Sequence, residues 1–300
     1  MTLGAVRAAT IVCPDVDQAV DVYVRHLSYR PVQRSAVTAA LASVWGAPAV
    51  AGCRLAVLAP ASGAGTFLRF VEMPGSAPYA PCSAWGWHAL ELTVADCDAA
   101  TAQVARGPFQ VLGEPRELSF SDGALKASQL QGPFGEVLYL TEVRRPVPGY
   151  ELPIAKTLID RIFIVVLHAR SAAAGLGWYA SRFGNAATPT MGVAIEFMAR
   201  LHGLDPSVPY QIGTLALEAG FYFEVDDTPE HVLARPRPPG GLPPGIAMVT
   251  CLVHGPDAAA ALLPAEANCG PVYTGARTIR RGEGPAGEWL EFLGADARAG

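Results

Sequence analysis

Apolar residues in the first half of the chain alternate between strand-like runs and helix-like spacing. Residues 9–13 are apolar and β-branched, and Asp15 follows as a helix N-cap. The next apolar positions recur every three or four residues, which predicts a helix to about His26. The same order returns with a strand over 89–94 and a helix over 97–106. Each quarter of the chain is therefore predicted to be strand–helix–strand–strand–strand, with further strands over 54–58, 66–71, 125–131 and 136–141.

The second half of the chain repeats the first. The segment 132–140, Gly-Pro-Phe-Gly-Glu-Val-Leu-Tyr-Leu, returns at 284–292 as Gly-Pro-Ala-Gly-Glu-Trp-Leu-Glu-Phe. Residues 7–29 return as 161–183 in the same order, which is the signature of an internal duplication. We therefore expect an N-terminal domain over 1–146, a linker over 147–153 and a C-terminal domain over 154–300. In this interpretation the two quarters of each half pair their sheets into one open, curved cup.

Composition excludes several broad classes of protein. Of the 300 residues, 51% are hydrophobic and 16% charged, which excludes a disordered chain. Uninterrupted apolar runs, such as 163–167, are far shorter than a membrane span, and the first residues do not resemble a signal peptide. These features predict a soluble, cytoplasmic protein without a membrane partner.

Charge and cysteine spacing exclude two further functions. The net charge is −5 and the basic residues form no long run, so we expect no nucleic-acid partner. The six cysteines are far apart with no CxxC spacing, which predicts buried thiols rather than a disulfide or zinc framework.

Three segments resemble the vicinal oxygen chelate superfamily, which contains glyoxalases, bleomycin-resistance proteins and extradiol dioxygenases. Residues 11–23 are similar to its opening strand and helix, 86–96 to the start of its second βαβββ module, and 132–140 to its final turn and strand. The resemblance covers both halves. It implies an α+β fold of four βαβββ modules that form two curved-sheet cups, each of which in this family usually holds a divalent metal on four strands.

The ligand positions that the resemblance implies carry few metal-binding side chains. They fall at Ala8, Arg69, Ala89 and Tyr139 in the first half, and at Ile162, Glu224, Met248 and Glu291 in the second. A guanidinium repels a cation, and carboxylates without histidine make a weak transition-metal site. We therefore expect no cofactor. The alternative is a divalent metal held by Glu224 and Glu291, or by His88 after a one-residue shift in register.

Three residues of the first-half cup are predicted to be catalytic. Arg69 offers paired donors to an anion, and Tyr139 offers a phenolic donor to an oxyanion. If Ala89 faces the cup, alternation along the strand places Glu91 on the same side. A carboxylate in an apolar cup has a raised pKa, which suits a general base near neutral pH. The alternative is that Arg69 and a glutamate form a structural ion pair and that Tyr139 covers apolar surface.

Five further residues are candidates for binding substrate. Gln129 and Gln131 are period-two neighbours that would face a substrate carbonyl, and Trp87 and His88 lie beside the predicted cup strand. The Lys126 side chain reaches the cup if it lies on the concave face of its strand. For Trp87 the alternative is packing in the core, and for Lys126 it is a solvated face.

These features predict an enzyme acting on a small oxygenated organic molecule by lyase or isomerase proton transfer without the usual metal ligands. One alternative is a non-catalytic binding protein similar to the bleomycin-resistance members. The other is a metal-dependent glyoxalase or dioxygenase with atypical ligands. We expect a small-molecule substrate or ligand as the partner, and a monomer or homodimer.

Overall fold

The computed structural model describes residues 1–76, 79–255, 261–262 and 270–295. Its first half contains β1 (Thr2–Cys13), α1 (Val16–Leu27), β2 (Arg30–Ala36), α2 (Ala39–Trp45), β3 (Arg54–Ala59), β4 (Phe67–Glu72), β5 (Gly86–Val94), α3 (Cys97–Val104), β6 (Gln110–Glu117), β7 (Leu125–Gln131) and β8 (Val137–Val143). Its second half contains β9 (Ile159–Ala169), α4 (Ala172–Phe183), β10 (Met191–Ala194), α5 (Glu196–Leu201), β11 (Pro209–Ala216), β12 (Tyr222–Asp227), β13 (Ile246–His254), β14 (Ala261–Leu262), β15 (Ala276–Glu283) and β16 (Trp289–Ala295).

The strands form two eight-stranded sheets. The outer-module sheet has the order β14-β15-β16-β13-β1-β4-β3-β2 and combines the first and fourth modules. The inner-module sheet has the order β10-β11-β12-β9-β5-β8-β7-β6 and combines the second and third modules. The α+β fold of paired modules in two curved sheets is confirmed. The pairing of modules within each half is wrong, because every sheet takes one module from each half.

The modules pair through their first strands. In the inner-module sheet β5 runs antiparallel beside β9. In the outer-module sheet β1 runs antiparallel beside β13. Each pair makes two modules into one continuous sheet, so these first strands are not exposed as edges. The domain boundaries predicted around 147–153 stay a prediction.

The helix starts follow the predicted capping. The Asp15 side chain accepts hydrogen bonds from the backbone N–H groups of Asp17 and Gln18, and Asp96 caps α3 by accepting from Ala99. Both helices bury their apolar face in the core that separates the two sheets. Among the described residues, no helix is both long and apolar enough to span a membrane. Five cysteines are free thiols, four of them buried, as expected, and Cys269 lies outside the described residues.

The repeated Gly-Pro-x-Gly-Glu turn ties the two modules of one half together. Glu136 accepts a hydrogen bond of 2.6 Å from the hydroxyl of Tyr23, on the helix of the preceding module. Glu288 accepts the same bond from Tyr179 in the second half, at 2.5 Å. The two halves are thus held internally by helix-to-turn contacts, whereas the sheets join one half to the other.

Each sheet also has a face turned away from the shared core. Trp45 of α2 packs on this face of the outer-module sheet with Val57, Met248 and Trp289. Phe197 of α5 packs on the inner-module sheet, near Tyr139. The two short helices were not predicted from the sequence, and each packs on part of the concave face of its sheet.

Candidate active site in the inner-module sheet

A cavity of about 430 Å³ lies on the concave face of the inner-module sheet. Its polar side chains include Glu91 on β5, Thr141 on β8, Thr214 on β11 and Glu224 on β12. Most of the remaining wall is apolar and includes Phe120, Leu125, Leu152, Ile164, Met191 and Ile212. A concave, mostly apolar pocket with a few convergent polar groups is typical of a small-molecule site.

Two glutamates in the cavity have pKa values above the ordinary range. Glu91 is 7% exposed, and burial raises its pKa to about 7 although a hydrogen bond from Thr141 Oγ1 (2.9 Å) opposes the shift. The pKa of Glu224 is raised well above its usual value by burial and by the charges of Asp226 and Glu91. The raised pKa favours the protonated, hydrogen-donating form of Glu224, while Glu91 can take up or release a proton near neutral pH.

A cluster of polar side chains lies beside the cavity and beneath α5. The rings of His88 and His168 stack at 3.7 Å between centroids. Cys82 Sγ is 3.8 Å from His88 Nε2, and Asp226 Oδ2 is 4.0 Å from His168 Nε2. Burial lowers the pKa of His88 to about 3 and that of His168 well below its ordinary value, so both rings are neutral. Burial also raises the pKa of Asp226.

A β-bulge brings His88 into this cluster. The register between β5 and β9 shifts between Trp87 and Ala89, so His88 joins Ala89 on the concave side. Trp87 instead turns into the core between the sheets, where its Nε1 donates to the carbonyl of Trp289. The register shift considered for His88 therefore occurs, and the prediction that Trp87 binds substrate is wrong because that side chain packs in the core.

Arg69 lies in the other sheet. It is 1% exposed on β4 of the outer-module sheet, and its Nη2 is 2.9 Å from Glu291 Oε2 on β16. Tyr139 belongs to β8 of the inner-module sheet. The expected site that combines Arg69, Tyr139 and Glu91 is therefore wrong, because it assumed that the first two modules share one sheet.

Further hydrogen bonds complete the network around Arg69. Its guanidinium donates to Thr10 Oγ1 (2.9 Å) and to the Tyr273 hydroxyl (2.7 Å), and Trp45 Nε1 donates to Glu291 (2.6 Å). Burial opposes the charge on Arg69, yet Glu291 and Tyr273 keep the pKa of the guanidinium above its ordinary value. A hollow of only about 110 Å³ remains beside Arg69. Arg69 and Glu291 therefore form a structural ion pair, which is the alternative considered for Arg69.

The other predicted binding residues lie away from the cavity. Lys126 pairs with Asp98 of α3, so it faces the helix layer and the prediction that it reaches the cup is wrong. Gln129 lines a separate cleft of about 390 Å³ that also contains Arg116. Gln131, the last residue of β7, does not line the 430 Å³ cavity either.

The metal positions that the resemblance implies do not fit a metal. In the outer-module sheet the carboxylate of Glu291 is already paired with Arg69. In the inner-module sheet the positions at Ala89, Tyr139 and Glu224 provide one carboxyl group and no imidazole. Glu224 and Glu291 lie in different sheets, so they cannot share an ion. The side chains at these positions therefore do not form a metal site.

Sequence reasoning missed several residues of the inner-module site. The sequence pattern assigns no role to Thr141 or Asp226, places His168 near a turn without a catalytic role, and treats Cys82 as an ordinary buried thiol. A signal was present, since residues 164, 166 and 168 alternate with core residues, as do 222, 224 and 226 on the neighbouring strand. The two alternating runs place His168 and Asp226, at the ends of the two strands, on the same face of the sheet.

Comparison with solved structures identifies the same fold elsewhere. Glyoxalase I from Zea mays aligns with a TM-score of 0.58 and 12% identity over 96% of this chain and 92% of that chain, and a variant of the same protein reaches 0.62. A "putative dioxygenase" from Bacillus subtilis subsp. subtilis str. 168 aligns with a TM-score of 0.57 and 12% identity over 99% of this chain and 86% of that chain. No family model and no curated protein matches the sequence. The chain has the fold of the vicinal oxygen chelate superfamily, as the resemblance implied.

Proposed function

We propose that the inner-module cup binds a small oxygenated organic molecule and that Glu91 is its general base, in lyase or isomerase chemistry. The observation that carries this proposal is the buried Glu91 carboxyl group in the wall of the 430 Å³ cavity, with Glu224 in the same cavity. A base whose pKa lies near 7 takes up and returns a proton efficiently at neutral pH.

The two glutamates have complementary roles in this reaction. Glu91 removes a proton from the carbon beside a carbonyl group, and the C–H electron pair moves into the carbonyl to form an enol. The protonated Glu224 donates a hydrogen bond to the developing oxyanion. This hydrogen bond is more effective because the surrounding cavity wall is mostly apolar. Two titratable groups whose environments give them different pKa values form a typical acid–base pair. Return of the proton to a neighbouring carbon gives isomerisation, and loss of a leaving group gives a lyase reaction.

The named relatives agree with this proposal only at the level of the fold. Glyoxalase I and the dioxygenase-described protein share the architecture at 12% identity, and one scaffold supports many reactions. The residues that carry the proposed chemistry are therefore those of this chain. The predicted contributions of Arg69 and Tyr139 are not retained, because Arg69 lies in the other sheet and Tyr139 is not part of the cavity wall.

The second candidate is a non-catalytic binding protein. The mostly apolar wall of the cavity supports it, since such a surface holds a ligand by burial alone. The two candidates differ in one observable, which is whether a bound molecule exchanges a carbon-bound proton.

The test measures proton exchange directly. The protein is incubated in D₂O with a panel of small 2-oxo and 2-hydroxy carbonyl compounds, and proton NMR follows the signal of the hydrogen beside the carbonyl. We expect exchange by the wild-type chain and a rate lower by about 10²–10⁴-fold in Glu91→Gln. Glu114→Gln, at an exposed position in the separate cleft, is the matched control and keeps the wild-type rate.

Two outcomes would contradict the proposed chemistry. Compounds that bind in saturation-transfer NMR without exchanging a proton would make the chain a binding protein. Exchange that continues unchanged in Glu91→Gln would remove Glu91 as the base.

A further inference from the structure

Three potential metal ligands converge beneath α5. Cys82 Sγ and one ring nitrogen each of His88 and His168 all lie within 4.8 Å of one another, and all three residues are buried. The Sγ–Nε2 separation between Cys82 and His88 is 3.8 Å. Tetrahedral zinc has Zn–S bonds of about 2.3 Å and Zn–N bonds of about 2.0 Å, which place its ligand atoms about 3.5 Å apart. A small inward movement would bring the three atoms to bonding distance of one ion.

The polar atoms of this cluster lack other partners. Within the described residues, Nδ1 of His88, both ring nitrogens of His168 and both carboxylate oxygens of Asp226 are buried without a hydrogen bond. Buried polar atoms are nearly always satisfied, so five unsatisfied atoms in one place require an explanation. The nearby Arg235 does not provide it, since its guanidinium donates to the backbone carbonyls of Trp87, Pro244 and Ile246.

We propose that Cys82, His88 and His168 bind a zinc ion, with the Asp226 carboxylate beside it. One thiolate and two imidazoles suit Zn²⁺, whereas Mg²⁺ and Ca²⁺ require oxygen ligands. On binding, the Cys82 thiol and the Asp226 carboxyl group release their protons to solvent, so the thiolate and the carboxylate together balance the two positive charges of the ion. The two imidazole rings, which are 19° from parallel, turn apart so that both nitrogen lone pairs point at the metal.

This site differs from the positions implied by the family resemblance and from the proposed catalytic cavity. Its ligands are not Ala89, Tyr139 or Glu224, and none of the three lines the 430 Å³ cavity. The ring of Phe197 on α5 lies 6.3 Å from that of His88 and nearly parallel to it, which helps to cover the cluster. A closed site of this kind is structural. The ion would connect β9 with the loop that precedes β5, and would therefore join the second module to the third.

The test uses the full chain without a metal-affinity tag. The protein is produced in minimal medium that contains either zinc or cobalt, and its metal content is measured by mass spectrometry. We expect one zinc ion per chain, and in the cobalt form a thiolate-to-cobalt charge-transfer band in the near ultraviolet. Removal of the metal by a chelator is expected to lower the midpoint of thermal unfolding by on the order of 5 °C.

Two variants assign the site. Cys82→Ala removes a side chain in a loop and is expected to abolish the charge-transfer band and lower the metal content at least about tenfold. Cys251→Ala removes another fully buried thiol, on β13, and keeps both signals. In His168→Gln we expect the cobalt–thiolate band to remain and the affinity for cobalt to be weaker. A packing defect alone does not give this combination.

Two results would overturn the proposal. The first is that the wild-type chain contains neither zinc nor cobalt in stoichiometric amount. The second is that the cobalt charge-transfer band persists in Cys82→Ala. These results leave the proton-exchange experiment on Glu91 unaffected, so the two proposals fail separately.

Discussion

The two cups of this chain are built from similar modules but have opposite interiors. In the outer-module sheet, Arg69 and Glu291 form a buried ion pair that α2 and Trp45 cover, and about 110 Å³ of space remains. In the inner-module sheet about 430 Å³ stays open, and among the described residues no cationic side chain pairs with Glu91. The buried Arg69 and Glu291 thus pair with each other, whereas the buried Glu91 accepts a hydrogen bond from the uncharged Thr141 hydroxyl.

This difference separates a closed, paired interior from an open interior that contains a titratable carboxyl group. A closed network of hydrogen bonds makes a charge inert, because every donor and acceptor is already engaged. An unpaired buried carboxyl group is destabilising, but its raised pKa makes it reactive near neutral pH. The comparison can be tested by placing the same substitution in both cups.

The largest expected effect is in the outer-module sheet. Glu291→Gln leaves the Arg69 guanidinium buried without its counter-charge, and we expect the free energy of unfolding to fall by about 3–5 kcal/mol. Urea denaturation measures this change. The matched control is Glu283→Gln, which breaks a surface pair with Arg237 and should cost less than about 1 kcal/mol.

A double variant tests whether the loss arises from the unpaired charge. Adding Arg69→Met to Glu291→Gln removes that charge, so the double variant is expected to regain a large part of the stability. If the effects of the two substitutions simply add, the ion pair is not the reason for the loss.

The second effect has the opposite sign and belongs to the inner-module sheet. The pKa of Glu91 in the folded chain, about 7, lies above its ordinary value of 4.5, so folding favours the protonated form. The stability that this gives is complete below pH 4.5 and is lost as the pH rises to 7. Glu91→Gln does not titrate, so we expect it to be more stable than wild type by on the order of 1–3 kcal/mol at pH 8.

At pH 4.5 the same variant should differ little from wild type. Urea denaturation at both pH values gives the comparison. A Glu91→Gln chain that is less stable than wild type at pH 8 would show that Glu91 is paired in solution.

The smallest effect concerns a single hydrogen bond. Thr141 donates to Glu91 and favours the ionised carboxylate, so Thr141→Val is expected to raise the pKa of Glu91 further, by about one unit. A carbon-13 NMR titration of glutamate carboxyl groups, with the Glu91 signal assigned from Glu91→Gln, measures the shift. A shift downwards would mean that Thr141 does not stabilise the charge.

Local parts of the structure could be predicted from the sequence, whereas the composition of the site could not. The caps at Asp15 and Asp96 and the helices that they begin depend on residues close in the chain, and they were predicted correctly. The environment of Arg69 depends on Glu291, 222 residues away, and on which module lies beside which. The orientation of Trp87 and His88 depends on a bulge that spacing alone does not reveal.

The sequence by itself determined the repeat of βαβββ modules and the inward position of Glu91, because strand periodicity and capping are short-range properties of the chain. Only the tertiary structure decided which modules share a sheet. That pairing is set by edge-to-edge hydrogen bonding between distant strands, and it brought Glu291 to Arg69 and Glu224 to Glu91. One cup was thereby filled and the other left open.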